Sequence, residues 1–151
     1  LWNSEDEARE KMVFGMQNTD IMKISDNEIV FLTGEEDLDK GVRLLIDRYE
    51  IPLVFATLGP DGSRAYYKGE RVDCPGFKNP NTIETTGAGD TFCACGLHFV
   101  LKYGLKELNI FRLRELLTFA NAAASLVTTR RGALAVMPTE EEVQEYLRSF
   151  R

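Results

Sequence analysis

Apolar residues recur along this chain with two periods, and the switches between them mark its elements. Ser4-Glu5-Asp6-Glu7 has the serine-then-glutamate spacing of a capping box, and Ala8, Met12, Phe14 and Met16 after it predict a helix ending near Asn18. Asp20-Ile21-Met22-Lys23-Ile24 reads as a short strand. Ser25-Asp26-Asn27-Glu28 repeats the capping signal and opens a short helix that Gly34 stops. A helix over 38–49 carries an inward stripe of Val42, Leu45, Ile46 and Tyr49. Pro52-Leu53-Val54-Phe55-Ala56-Thr57 is a continuous apolar run of strand length, as expected of a parallel strand buried on both faces.

Gly59-Pro60-Asp61-Gly62 is a turn, after which 64–68 reads as a returning antiparallel strand and 71–77 as a further one. A polar loop over 78–86 precedes a long helix from Ala88 to about Leu101, closed by Gly104. Another helix is predicted over 112–128. Thr139-Glu140-Glu141-Glu142 is a third capping signal, starting a last helix that reaches Leu147. Helices alternating with short apolar strands predict an α/β sheet covered by helices.

Composition narrows the class without naming a chemistry. The chain has 151 residues, 44% of them hydrophobic and 28% charged, enough for one globular domain with a substantial core. A net charge of −6 argues against nucleic acid or an anionic membrane as a general partner. No apolar run approaches the roughly 18 residues of a membrane span. The start Leu1-Trp2-Asn3-Ser4 shows no signal peptide and lacks an initiator Met, which suggests a piece of a longer chain. Cys74, Cys93 and Cys95 form no CxxC pair and read as reduced thiols of a cytoplasmic protein.

The segment richest in chemistry is Glu84-Thr85-Thr86-Gly87-Ala88-Gly89-Asp90-Thr91-Phe92. Small residues ahead of a helix let a ligand approach the backbone, and the unpaired N–H groups of a helix start favour an anion. A carboxylate beside a bound phosphate makes chemical sense if it accepts a hydroxyl proton while backbone donors hold the transferring group. The same pattern also suits a glycine-rich loop whose acid merely favours the helix dipole, and the residues alone leave both readings open.

The run Thr85-Thr86-Gly87-Ala88-Gly89-Asp90-Thr91-Phe92 resembles the second signature of the phosphofructokinase-B, or ribokinase-like, family of carbohydrate kinases. The resemblance implies that Gly87, Ala88 and Gly89 form an anion hole for the transferred phosphoryl group and that Asp90 is the catalytic base. Ser25-Asp26-Asn27-Glu28, followed by Phe31-Leu32-Thr33-Gly34, is similar to the family's Asn-x-x-Glu segment, with Ser25 in place of Asn. It implies that Glu28 organises magnesium through water. Thr57-Leu58-Gly59-Pro60-Asp61-Gly62 resembles the family's strand end beside the nucleotide, implying contacts from Thr57, Gly59 and Gly62, with Thr86 close by. The helix segment Ala120-Asn121-Ala122-Ala123-Ala124 and the loop Thr128-Thr129-Arg130-Arg131-Gly132-Ala133 resemble those that close over adenine, which assigns Asn121 and Gly132 to the nucleotide. Several family members bind a monovalent cation such as potassium near an acidic position that is Glu84 here, where Asp is commoner.

The implied fold is a ribokinase-like three-layer α/β/α architecture with a mainly parallel sheet and helices on both faces. This chain corresponds to the C-terminal, nucleotide-binding and catalytic part, and the family's N-terminal half with its sugar-binding, often dimerising lid has no counterpart in it. The implied activity is ATP- and magnesium-dependent phosphorylation of a sugar hydroxyl, closest to fructokinases. Alternatives are a 2-keto-3-deoxygluconate or ribokinase-type substrate, or a non-catalytic nucleotide-binding module. The full-length protein is expected to be a homodimer. The isolated fragment is expected to turn over little and to associate through an exposed sheet edge.

Overall fold

In a computed structural model, which describes residues 2–150, the chain divides into two compact units. One runs to Thr57 and takes in 65–71, and the other comprises 58–64 and everything from Val72 onward.

The first unit contains α1 (Glu5–Met16), β1 (Ile21–Ser25), α2 (Asp26–Thr33), α3 (Leu38–Tyr49) and β2 (Leu53–Thr57). β1 and β2 run parallel, in register from Ile21 opposite Leu53 to Ser25 opposite Thr57. Four of the five β2 residues are buried, which is why its sequence is an unbroken apolar run rather than an alternating one. α3 turns Val42 and Leu45 inward, as its stripe predicts, beside Met16, Ile24, Ile29, Ile51, Val54, Ala56 and Tyr66. α2 and α3 meet at Gly41, where a Cβ would lie 2.5 Å from Cγ2 of Ile29. Ile29 and Val42 are fully buried, each contributing about 1.5–3 kcal/mol by leaving water. On the outer side of α3, Asp39 takes bonds from Arg43 and Arg71, and these hold its carboxyl below the usual range.

Two capping signals behave as read and one does so by half. Ser25 and Thr139 exchange both bonds with Glu28 and Glu142. Ser4 caps Glu7, but the Glu7 carboxylate reaches back to the backbone and side-chain nitrogens of Asn3 instead of to Ser4.

β3 (Gly62–Tyr67) and β4 (Glu70–Pro75) form a hairpin that contributes to both units. Its two turn residues, Lys68 and Gly69, have φ of 51° and 81°, as the tight type I′ connection requires. The sheet order is β1-β2-β3-β4, so the sheet is mixed, with a parallel pair followed by a hairpin. β4 buries Val72 and Cys74 alternately and exposes the residues between them.

The second unit is completed by α4 (Ala88–Tyr103), α5 (Ile110–Val127) and α6 (Glu140–Arg148). α4 lies along α5, and α5 along α6. The Ala-rich stretch of α5 serves this packing, with Ala120, Ala122 and Ala123 buried and Val143 of α6 seated against the last two. Phe77, Tyr146 and Phe150 close one end with ring centroids 5.9, 5.1 and 5.0 Å apart in tilted and edge-on pairs. Burial pushes the Cys95 thiol up to about 11. Short 3-10 turns at Gly59–Asp61, Leu105–Glu107 and Leu134–Val136 complete the path. The last two fall in stretches where the sequence signals no element.

Candidate functional site

Among the described residues, five of the six helices begin on a side chain that accepts a bond from their own first-turn amides: Ser4, Ser25, Asp37, Asn109 and Thr139. α4 begins on Gly87, which has no side chain to offer. The Gly87 carbonyl accepts from Thr91 N–H at 2.9 Å, and the Ala88 N–H closes a turn onto the Thr85 carbonyl at 3.2 Å. The N–H groups of Gly89 and Asp90 donate to no acceptor among the described residues. The Asp90 side chain is exposed and joins no ion pair there. The terminus therefore offers unused amide donors, the positive end of a 16-residue helix and a carboxylate with open lone pairs.

Gly87, Ala88 and Gly89 are the residues assigned from the sequence; of their amides only that of Ala88 donates to a described residue, the Thr85 carbonyl, and the Asp90 amide beside them is free as well. Beside this terminus Thr91 is 3% exposed, and its hydroxyl has no partner among the described residues.

Local packing fixes the loop geometry here. Gly87 has φ of 85°, and a Cβ on it would lie 2.9 Å from both Cα and Cβ of Ala133. Gly132, at φ 105°, makes the turn that brings Ala133 in. The segment ahead of Thr85 is tied to the end of α5, since Ile83 and Glu84 both donate to the Thr128 carbonyl, at 2.9 and 3.1 Å. The Thr82 and Thr128 hydroxyls meet at 3.0 Å. Beyond Thr128, Arg130 bonds both carboxylate oxygens of Glu142 and donates to the Val136 carbonyl, spanning the loop that contains Gly132. The Arg130 bond, seconded by the Thr139 N–H, lowers the Glu142 pKa. Arg130 is thus a loop tether. Arg131 and Thr86 are exposed, and the Glu84 side chain is half-buried.

In the first unit, Ser25 and Thr57 are register partners at the carboxyl ends of a parallel pair, the edge where α/β sheets present ligands. Glu28 sits on Ser25, its Oε2 accepting the Ser25 N–H at 2.7 Å and hydroxyl at 2.9 Å, with Lys23 Nζ 4.0 Å away. The fold thus makes neighbours of two motifs far apart in sequence, Ser25-x-x-Glu28 and Thr57. Thr57 donates its hydroxyl to the Ile24 carbonyl at 3.4 Å.

Past Thr57 the loop 58–62 closes on itself, Leu58 N–H donating to the Gly62 carbonyl at 2.8 Å and Asp61 N–H to that of Leu58 at 3.1 Å. Gly59 has φ of 56°. Gly62, at φ 109°, is buried flush against the backbone of Cys74, Pro75 and Gly76, so close backbone approach accounts for its lack of a side chain.

Asn121 departs from expectation. It is 7% exposed and its amide is fully engaged, Nδ2 donating to the carbonyls of Cys74 and Pro75 and Oδ1 accepting from Ser63. A side chain so committed has no donor left for a nucleotide. Sequence reasoning also missed Ser63 and Ala133, whose partners lie far away in the chain.

Residues 1–140 match the description "pfkB family carbohydrate kinase". The chain is 40% identical, over 97% of its length, to a protein named probable fructokinase-6, chloroplastic, of Arabidopsis thaliana, and covers 38% of that protein. It is 35% identical to probable fructokinase-4 of the same plant over 98% of this chain and 45% of the relative. Among solved structures it resembles a fructokinase of Vibrio cholerae O395, crystallised with fructose, ADP and calcium, with a TM-score of 0.82 and 27% identity over 97% of this chain and 46% of that one. The chain spans less than half the length of these relatives.

Proposed function

Since this chain belongs to the pfkB family of carbohydrate kinases, with a ribokinase-like fold, we propose that it supplies the phosphoryl-transfer half of an ATP-dependent sugar kinase acting on fructose or a related ketose. The observation that carries the proposal is the uncapped start of α4, where the unbonded N–H groups of Gly89 and Asp90 stand beside the exposed Asp90 carboxylate.

The chemistry follows from that pairing. Asp90 accepts the proton of a sugar hydroxyl as its oxygen attacks the γ-phosphorus of ATP. A new P–O bond forms while the bond to the bridging oxygen of the departing ADP breaks. The negative charge on the moving phosphoryl oxygens falls to the Gly89 and Asp90 amides and to the helix dipole, which need no reorganisation to receive it. Gly87 keeps the terminus open because any side chain at that position would meet Ala133. The loop containing Gly59 and Gly62 flanks the nucleotide, and Gly132 shapes the loop behind the anion site.

A magnesium ion neutralises phosphate charge when bound. Such an ion keeps several waters and takes one or two carboxylates besides the phosphates, and Glu28 suits it because its Oε1 makes no bond among the described residues while Oε2 is held by Ser25. For potassium the fit is poor. Glu84 brings a single carboxylate, and the neighbouring Thr128 carbonyl already accepts two N–H groups, so no step is assigned to that ion.

The test is Asp90→Asn in the full-length protein with ATP, magnesium and a panel of ketoses, aldoses and keto-sugar acids. Turnover on fructose is expected to fall by about 10²–10⁴, the usual contribution of a general base, with ATP affinity nearly unchanged. A variant that turns over like the wild type removes Asp90 from the reaction.

A further inference from the structure

We infer that Asn121 is a positioning residue whose buried amide clasps Ser63 to the Cys74 and Pro75 carbonyls and so sets the conformation of the loop 58–62. This inference rests on the reading that the loop flanks the nucleotide.

The bonding is complete. A carboxamide has two N–H donors and one carbonyl. Both donors of Asn121 are used, on the Cys74 carbonyl at 3.2 Å and the Pro75 carbonyl at 3.1 Å, and Oδ1 receives the Ser63 hydroxyl at 2.8 Å. The orientation of the amide is unambiguous, because two carbonyls demand the nitrogen and only the hydroxyl can serve the oxygen. Asn121 sits between the buried Ala120 and Ala122 of α5, so its polar end faces the hairpin and not solvent.

From that amide a run of rigid contacts leads to the loop. Ser63 follows Gly62 directly. Gly62 rests on the backbone of Cys74, Pro75 and Gly76, and Gly76 rests on the Pro60 carbonyl, where a Cβ would also come within 2.9 Å of Gly62 N. No side chain separates these two stretches of backbone, so a shift of 74–76 moves 60–62 with it. Asn121 holds one stretch by its carbonyls and the other by Ser63. Its effect on the nucleotide is therefore transmitted through Gly59, Pro60 and Gly62.

Two substitutions in the full-length protein, Ser63→Ala and Asn121→Ala, separate this role from direct contact. Each is read by KM for ATP, KM for sugar, and hydrogen exchange at the Leu58 and Asp61 amides without nucleotide. Both variants are expected to exchange those amides about tenfold faster and to raise KM for ATP by a similar factor, with the sugar KM within about twofold of wild type. If Ser63→Ala leaves exchange and KM for ATP unchanged while Asn121→Ala raises that KM, Asn121 touches the nucleotide and the inference fails. It also fails if both variants melt earlier with exchange and KM unmoved, since the clasp is then structural only. Should Asn121→Ala not fold, Ser63→Ala, which deletes a single hydroxyl, decides alone. Faster exchange in both variants of a protein whose wild type transfers no phosphate would overturn the kinase reading and leave the clasp standing.

Discussion

Gly87 and Ala133 pack with no side chain between them, such that a Cβ at Gly87 would stand 2.9 Å from both Cα and Cβ of Ala133. This packing joins the start of α4 to the loop between α5 and α6, and it fixes how open the helix terminus remains. Gly87→Ala is expected to destabilise the fold by roughly 3 kcal/mol, combining a side chain at φ 85° with a clash against backbone that cannot rotate away. Denaturant unfolding measures the loss, and phosphoryl transfer should vanish with it. Adding Ala133→Gly should not restore either, because the main chain at that position still blocks the new methyl. Recovery in the double variant would show that the side-chain methyl alone sets the distance.

Thr91 offers a test with the opposite sign. Its hydroxyl is buried and has no partner among the described residues, which makes it a desolvated group without a return. Thr91→Val keeps the shape and removes that group, so stability should hold or rise by about 1 kcal/mol, read as an unchanged or higher Tm. A clear drop in Tm would mean that the hydroxyl has a partner, such as a bound water.

At Glu28 two substitutions separate capping from metal binding. Glu28→Gln keeps an oxygen able to accept the Ser25 N–H and should leave the unfolding curve nearly unchanged while raising the magnesium concentration needed for half-maximal activity. Glu28→Ala leaves the Ser25 cap but removes the reciprocal half of the capping box, the bonds from the Ser25 N–H and hydroxyl, and should cost about 1 kcal/mol of stability. Equal magnesium requirements in wild type and Glu28→Gln would exclude the carboxylate from the metal.

Glu142 gives a pH-dependent prediction. The Arg130 bond and the Thr139 N–H lower its pKa in the folded protein, so the folded state binds the proton less readily than the unfolded one. The stabilisation is then fully present above the ordinary glutamate pKa of about 4.3 and fades as pH falls through the lower folded value. The Tm gap between wild type and Glu142→Gln should be open at neutral pH and close in acid. A gap constant across that range would mean that the carboxylate charge contributes nothing.

The local signals of the sequence were dependable because their causes are local. Ser25 with Glu28 and Thr139 with Glu142 close boxes three residues apart, and the stripe of 38–49 gives a helix with those bounds. Where a partner lay outside the window, legibility failed. The Asn121 amide is spent on residues 58, 47 and 46 positions away, so a motif that reads as a nucleotide contact folds into a clasp. The Ala88 amide was less legible for a subtler reason: the resemblance marks Gly-Ala-Gly, and only the folded loop reveals the middle amide donating to the Thr85 carbonyl. The Glu7 carboxylate likewise chose Asn3, one residue earlier than its pattern implies.

The bare beginning of α4 also bears on protein engineering. Heat-hardening by giving each helix a polar starter would find one vacancy among the six, at Gly87. Filling it would gain nothing, because the Cβ of any starter residue would meet Ala133 at φ 85° and its oxygen would occupy the donors that the proposed reaction uses. Thermal selection, with or without an activity screen, would therefore leave this terminus bare.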